Sequence, residues 1–204
     1  WTYMYVILNT TTNSTFAMPN SLAANEQYYW KVIAFDKAGN SRTSTNFYYY
    51  KTDNTAPAAF DLTLPNNYTV STNRTPTLVW AATTETNFRN YTVQIDTVTT
   101  FATPDYQYER TGATTNTTIA IPDTIAADQV YYWRVIAFDD AGVGTTSTNF
   151  FAYVTDNTAP AVFDLTLPAN NTASTNVTPT LVWAATTEAN FLNYTIIISN
   201  FTSF

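Results

Sequence analysis

The sequence contains no cysteine and no histidine, and its 204 residues include only 4 glycines. Without Cys there is no disulfide framework and no thiolate metal site, so each domain must live off its own packed core. Without His, the commonest metal ligand and the commonest general base are both missing. So few glycines leave no Gly-rich loop to cradle a phosphate. Charge is also scarce. Charged residues make up 11% of the chain, less than half of the usual quarter or so. Lys and Arg total 8 against 15 Asp and Glu, a formal charge of −7, and they form no basic run. Nucleic-acid binding and polybasic attachment to a membrane surface therefore have no support. No stretch approaches the roughly 20 consecutive apolar residues of a spanning helix.

What is present points one way. Apolar residues make up 45% and aromatics 16%, and the polar remainder is mostly Thr, Asn and Ser. Thr is β-branched and suits a pleated, half-buried surface; Asn suits turns. This is the profile of an all-β protein whose solubility rests on hydroxyls and amides.

Self-comparison gives the organisation. Asp53-Asn54-Thr55-Ala56-Pro57 recurs as Asp156-Asn157-Thr158-Ala159-Pro160, a shift of 156 − 53 = 103. Trp80 recurs as Trp183, and Tyr28-Tyr29-Trp30 as Tyr131-Tyr132-Trp133, at the same shift and with no gap. The expected domains are residues 1–52, the C-terminal half of a repeat; 53–155, one complete repeat; and 156–204, the N-terminal half of the next. Trp1 corresponds to Pro104 and Phe204 to Phe101, so the sequence opens almost where it closes. Two readings fit. Either this is a stretch of a longer array, the favoured reading, or it is a subunit whose two half-domains complete each other's cores across a junction.

The complete repeat reads as short strands between turn residues. Phe60 to Leu64 precedes Pro65-Asn66-Asn67. Thr77 to Trp80 follows Pro76, Tyr91, Val93 and Ile95 alternate with polar residues, and Thr118 to Ile121 ends at Pro122. Val130 to Phe138 is a long apolar run, and Thr145 to Thr155 closes the unit. About seven strands with no helical period predict a β-sandwich.

At the sixth strand the pattern Leu22-x5-Tyr28-x-Trp30-x-Val32-x-Ala34-x-Asp36-x-Ala38-Gly39-Asn40 resembles that of fibronectin type III domains, and Ile125-x5-Tyr131-x-Trp133-x-Val135-x-Ala137 repeats it. The resemblance extends over the whole repeat. It is nearest to the fibronectin-type and Ig-like tandem repeats of prokaryotic extracellular surface proteins. It implies an all-β fold of tandem fibronectin type III-like (Ig-like) sandwiches. It also implies that Tyr28 and Tyr131 are tyrosine corners, whose hydroxyls tie the strand to the preceding connection. Trp80 and Trp183 resemble the family's core Trp, and Tyr91 and Tyr194 the Tyr that opens its third strand. Trp30 and Trp133 join them as expected core. One departure is Ala23-Ala24-Asn25, which stands where a Pro-Gly turn is usual.

If Tyr28, Trp30, Val32 and Ala34 face inward, then Tyr29, Ile33 and Phe35 face out, and Tyr132, Ile136 and Phe138 repeat that outer row. Phe47 to Tyr50 and Phe150 to Tyr153 add aromatics on the expected neighbouring strand. This is either a scatter of surface aromatics, an interface to neighbouring strands or fibre subunits, or a stacking platform for sugars. The alternating Ile suits the last poorly.

Asp36, Asp53, Asp139, Asp140 and Asp156 lie near the two junctions and are weak calcium candidates. Ca²⁺ wants six to eight oxygens, several of them carboxylate, and no cluster of that density is visible, so turn-forming and capping is the simpler role. Pro57 makes the junction stiff. Asn13, Asn67, Asn73, Asn90, Asn116, Asn170, Asn176 and Asn193 sit in Asn-x-Ser/Thr contexts in register between repeats, with Asn9 and Asn200 unmatched. In a chain so rich in Ser and Thr, chance accounts for most such matches, and glycans attach there only if the chain is secreted.

Catalysis has little to draw on. Glu85 and Glu188 are one position in two repeats, so they form no acid–base pair within a domain. No catalytic residue, cofactor or nucleic-acid partner is expected. The expected function is a structural repeat unit of an extracellular filament, stalk or long adhesin, associating with itself or with neighbouring repeats. The alternatives are a spacer or sugar-binding accessory module of a secreted enzyme, and a partner-binding segment of a surface adhesin.

Overall fold

Short runs of Thr, Val, Ile and aromatic residues, broken by Pro, Asn and Gly, give strands and no room for helices. Every regular element among the described residues is a β-strand. The computed structural model describes residues 3–7 and 14–201; Trp1, Asn9, Asn13 and Phe204 lie outside the described residues.

Before the first junction lie β1 (Gln27–Trp30), β2 (Ile33–Phe35), β3 (Ser41–Thr43) and β4 (Tyr48–Lys51). β1 pairs with β4 and β2 with β3, both antiparallel. The complete repeat holds β5 (Leu62–Leu64), β6 (Thr69–Ser71), β7 (Thr77–Trp80), β8 (Phe88–Asp96) and β9 (Tyr106–Thr111). It continues with β10 (Thr118–Ala120), β11 (Gln129–Asp139), β12 (Gly144–Thr146) and β13 (Phe151–Thr155). After the second junction come β14 (Leu165–Leu167) and β15 (Val182–Trp183), which pair antiparallel.

In the complete repeat one sheet runs β10-β7-β5 and the other β6-β13-β11-β8-β9, with β12 also on β11. All neighbours are antiparallel except β6 and β13. This is a fibronectin type III-like, Ig-like β-sandwich. It has more pieces than the expected strands. Pro65, which has no N–H for a ladder, and the turn at Asn66-Asn67 break the first strand, so β5 joins one sheet and β6 the other. The run Thr145 to Thr155 divides at buried Ser147, whose N–H donates to the Val135 carbonyl at 2.7 Å. β9 has no counterpart among the expected strands.

The core lies between the two sheets. Trp80, Tyr91, Val93, Tyr131, Trp133 and Val135 are all buried. Each large apolar side chain so buried contributes about 1.5–3 kcal/mol. The Tyr91 ring is the hub, with Phe88, Trp80 and Phe60 at centroid distances of 4.7, 5.2 and 5.6 Å. The Tyr131 hydroxyl accepts from the Ala126 N–H at 3.0 Å, and the Tyr28 hydroxyl from the Ala23 N–H at 2.9 Å. Ahead of these tyrosines, Asn25 and Asp128 adopt left-handed φ of 58° and 55°. Asn and Asp tolerate that region best after Gly, so the Pro-Gly turn is replaced without a glycine.

The flanking sections differ from the centre. Trp30, expected in a core, is 53% exposed, whereas Trp133 at the same repeat position is 1% exposed. The reason lies in the pairing: among the described residues β1 pairs only with β4, whereas β11 is covered on its other edge by β8. Tyr28, Trp183 and Tyr194 are half-buried.

One turn shows what a single repeat difference does. Asp36 accepts from the Ala38 and Asn40 N–H groups and, through its second oxygen, from the Asn40 side-chain amide at 2.8 Å. These bonds, the Asn40 side chain's first, hold its carboxyl below the usual value of 3.8. Asp139 occupies the same turn one repeat on and is fully buried. Its Oδ1 accepts from the Val143 N–H at 2.8 Å, but its Oδ2 has no partner, because Val143 stands where the first turn has Asn40. Val143→Asn is expected to supply that donor and stabilise the repeat by about 1 kcal/mol. A calorimetric midpoint that fails to rise would refute this.

Candidate functional site: the junctions and the outer aromatic face

Each junction is fastened on both sides by hydrogen bonds from equivalent positions of the repeat. At the first, the Asn54 N–H donates to Asn25 Oδ1 at 2.8 Å, and the Asn87 side-chain amide donates to Asp53 Oδ2 at 2.7 Å. Asp53 Oδ1 caps its own turn, accepting from the Thr55 N–H at 3.1 Å. At the second, the Asn157 N–H donates to Asp128 Oδ1 at 2.6 Å, the Asn190 amide to Asp156 Oδ2 at 2.9 Å, and the Thr158 N–H to Asp156 Oδ1 at 3.3 Å. Glu85 and Glu188 orient the two asparagines, accepting from the Asn87 and Asn190 N–H groups at 2.9 and 3.1 Å. The linker is thus tied backward to a left-handed Asx residue and forward to an Asn on the next β7–β8 type connection. Of these residues the sequence singles out Asp53 and Asp156; Asn25, Asp128, Asn87 and Asn190 act through contacts 29 and 34 residues apart. The signal available for them is that each Asx recurs at the repeat spacing.

The calcium candidates are not brought together. Asp53 and Asp156 spend both oxygens on the junction, Asp36 caps its turn, and Asp139 is buried inside the repeat while Asp140 is exposed beside it. Among the described residues no three Asp or Glu side chains converge as a metal site.

The second junction carries a charge that the first lacks. The Asn157 N–H, then the Thr158 hydroxyl at 2.9 Å, hold the Asp128 carboxyl below its usual value of 3.8. A lowered value means that the bound form is the anion. Its contribution is therefore complete above about pH 4 and is lost as pH falls further. Asn25, an amide, cannot titrate. Between pH 5 and pH 2, Asn157 amide protection, corrected for intrinsic exchange, is expected to fall while Asn54 keeps its own. Equal behaviour of the two amides would contradict this, and Asp128→Asn is expected to remove the difference.

The outer aromatic row is less open than its pattern implies. In the complete repeat Tyr132, Ile136 and Phe138 are only half-exposed. Phe101, itself 4% exposed, packs on Phe150 at 6.1 Å, and Phe150 meets Tyr132 edge-on at 5.6 Å. Arg134 lies over Phe101 at 4.4 Å and donates from Nε to Gln94 Oε1 at 2.8 Å. Phe138 lies over Gly144 on β12, where an added Cβ would meet the ring at 2.7 Å. In the first section Tyr29, Ile33 and Phe35 are exposed, at 64, 41 and 70%. There Ser41 stands opposite Phe35 in the position of Gly144. Tyr29 and Phe47 also meet edge to face, at 5.8 Å and 70°. Perpendicular rings do not make the coplanar platform that sugars stack on.

The Asn-x-Ser/Thr sites divide. Asn90 is 4% exposed on β8 and cannot carry a glycan in the folded repeat, whereas Asn193, at the same repeat position, is exposed. Asn116 spends its amide nitrogen on the Thr111 carbonyl at 3.0 Å and packs over Gly112, which also opposes modification. Asn67, Asn73, Asn170, Asn176 and Asn200 are exposed. Asn67 holds the Ala152 N–H through its Oδ1 at 2.7 Å.

No helix among the described residues is long and apolar enough to cross a membrane. No protein-family model matches the sequence, and no curated protein does. Solved structures do match. The FN1–FN3 domains of chicken CNTN1 align with 18% identity and a TM-score of 0.45, over 67% of this chain and 45% of that one. A Streptomyces avermitilis α-L-rhamnosidase aligns with 17% identity and a TM-score of 0.37, over 48% of this chain and 11% of that one. The chain therefore spans less than half the length of either.

Proposed function

We propose that this chain is a structural repeat unit of an extracellular filament, stalk or long adhesin, with no catalytic role. The observation that carries the proposal is the recurrence of the junction. Equivalent positions fasten both linkers at a spacing of 103 residues, Asn25 at the first and Asp128 at the second, with the Asn87–Asp53 and Asn190–Asp156 bonds differing by 0.2 Å. A joint held the same way at each period relates each sandwich to the next by one rotation and translation, which is the requirement for a regular polymer. Pro57 and Pro160 stiffen it further.

The rival readings draw less support. A sugar-binding accessory module wants coplanar exposed rings, and the outer rings meet edge to face. A partner-binding adhesin segment wants an open apolar face, and in the complete repeat Phe101 and Arg134 lie on it.

Electron microscopy of the native material tests the proposal. A helical fibre with an axial repeat of one or two sandwiches is the expected image. Isolated flexible strings would sink the polymer reading.

A further inference from the structure

The filament reading leaves the Asn-x-Ser/Thr contexts without a role, and the complete repeat separates them by what each amide nitrogen is free to do. Asn90 is buried, and Asn116 spends that nitrogen on the Thr111 carbonyl. Asn67 is exposed, in the turn between β5 and β6. Its Oδ1 accepts from the Ala152 N–H at 2.7 Å, and its nitrogen bonds to none of the described residues. That hydrogen bond fixes the amide through its oxygen, whereas N-glycosylation uses the nitrogen. A glycan on Asn67 therefore costs the fold no hydrogen bond.

The next residue supplies a second observation. Tyr68 has a left-handed φ of 62°. A bulky side chain there is an outlier, and Asn is a residue that enters this region readily. The following repeat has Asn171 at the same position, with φ 63°. Tyr68 thus holds a backbone conformation that suits its counterpart better. Core packing does not explain the choice, because the ring is 66% exposed and takes no part in the core cluster. The Tyr68 N–H donates to the Ala152 carbonyl at 2.8 Å, a bond that any residue but Pro could make. Backbone strain of this kind clusters where function uses it. Tyr68 is the middle residue of Asn67-Tyr68-Thr69, so an open ring directly follows the asparagine with the free nitrogen.

We infer that Asn67 carries an N-linked glycan whose first sugar lays its apolar face on the Tyr68 ring. The donor is of the lipid-linked oligosaccharyl diphosphate class. The bond from the sugar C1 to the diphosphate oxygen breaks, and the Nδ2–C1 bond forms. One amide proton passes to solvent, and the lipid diphosphate leaves. Covering the ring offsets the cost of the left-handed backbone. The context recurs in register as Asn170-Asn171-Thr172, and Thr69 and Thr172 donate their hydroxyls to the Asn66 and Ala169 carbonyls alike, at 2.7 and 2.6 Å. Asn73 is exposed too and holds the Thr75 N–H through its Oδ1 at 2.9 Å, but its neighbour Arg74 is pinned to the Ile125 carbonyl and offers no ring. The inference rests on the extracellular location in the filament reading and not on the polymer.

Peptide mass spectrometry of the native material, denatured before digestion, tests the site. The peptide containing Asn67 is expected to carry the added mass of a glycan, placed on Asn67 by fragmentation, while Asn90 stays bare. Bare Asn67 in material that forms regular fibres would overturn the inference and leave the filament reading standing. A glycan on Asn67 in material without fibres would uphold it and remove the polymer. Bare Asn67 without fibres would overturn both. The ring is tested by Tyr68→Asn, which keeps the glycosylation context and makes it the one found in the following repeat. In the 204-residue chain produced without glycan, the substitution relieves the backbone and should raise the thermal midpoint of the complete repeat by a few degrees. In the same chain secreted from N-glycosylating cells the sugar loses its support, so the rise should vanish or reverse. An equal rise in both forms would overturn the role of the ring.

Discussion

Trp133→Ala is expected to destabilise the complete repeat by about 3–5 kcal/mol, the range for removing a large buried aromatic side chain. The indole lies at the centre of β11, 1% exposed, with Phe151 edge-on at 5.9 Å. A domain of this size has roughly 5–15 kcal/mol in total, so the variant keeps a small margin or none. The same substitution at Trp30 is the control. It removes the same side chain from the same repeat position, but one that is 53% exposed in the single chain, so thermal unfolding of residues 53–155 should hardly change. Amide exchange along β8 distinguishes the two. A Trp133→Ala repeat with β8 protection unchanged would show that the core is not organised around this ring.

Tyr91→Phe should cost about 2 kcal/mol while leaving the ring packing intact, the amount expected when buried partners lose their hydrogen bonds. The hydroxyl accepts from the Thr83 N–H at 2.9 Å and donates to the Thr114 carbonyl at 2.8 Å, joining the β7–β8 connection to the loop before β10. Burial pushes the phenol above its usual 10, so it remains a donor well into the alkaline range. The denaturant midpoint should fall with an unchanged slope, since no surface changes hands. A midpoint within error of the parent would mean that the two loops are held by something else. Tyr194 receives the Thr186 N–H in the same way, at 2.8 Å.

The sandwich was legible because alternation and repetition are local signals. Tyr131, Trp133, Val135 and Ala137 lie two apart on a strand, and period two places them on one face whatever surrounds it. What escaped depends on chain segments far apart. Phe101 comes from an irregular connection, and no periodicity says that it folds over Phe150. Asn90 carries a glycosylation context, but its burial follows from β9 and β11 flanking β8. Trp30 is exposed because β1 has β4 alone beside it among the described residues, a difference in strand pairing from β11 that its residue type does not carry. Among the junction residues, Asn25 and Asp128 could be suspected from their place in the turn, whereas the reach of Asn87 to Asp53 spans 34 residues and leaves no pattern in between.

The way the few cations are held has a consequence for durability. Of the four Arg in residues 53–155, Arg89, Arg110 and Arg134 lie in paired strands, and Arg74 is bound through Nε to the Ile125 carbonyl at 2.6 Å. Residues 156–204 contain neither Lys nor Arg. Proteases need an extended, unpaired stretch around their cleavage residue. An enzyme that cuts after basic residues therefore finds hardly any loop to enter beyond residue 52, and its first cut is expected at Lys37, in the exposed turn between β2 and β3, with residues 53–201 left intact.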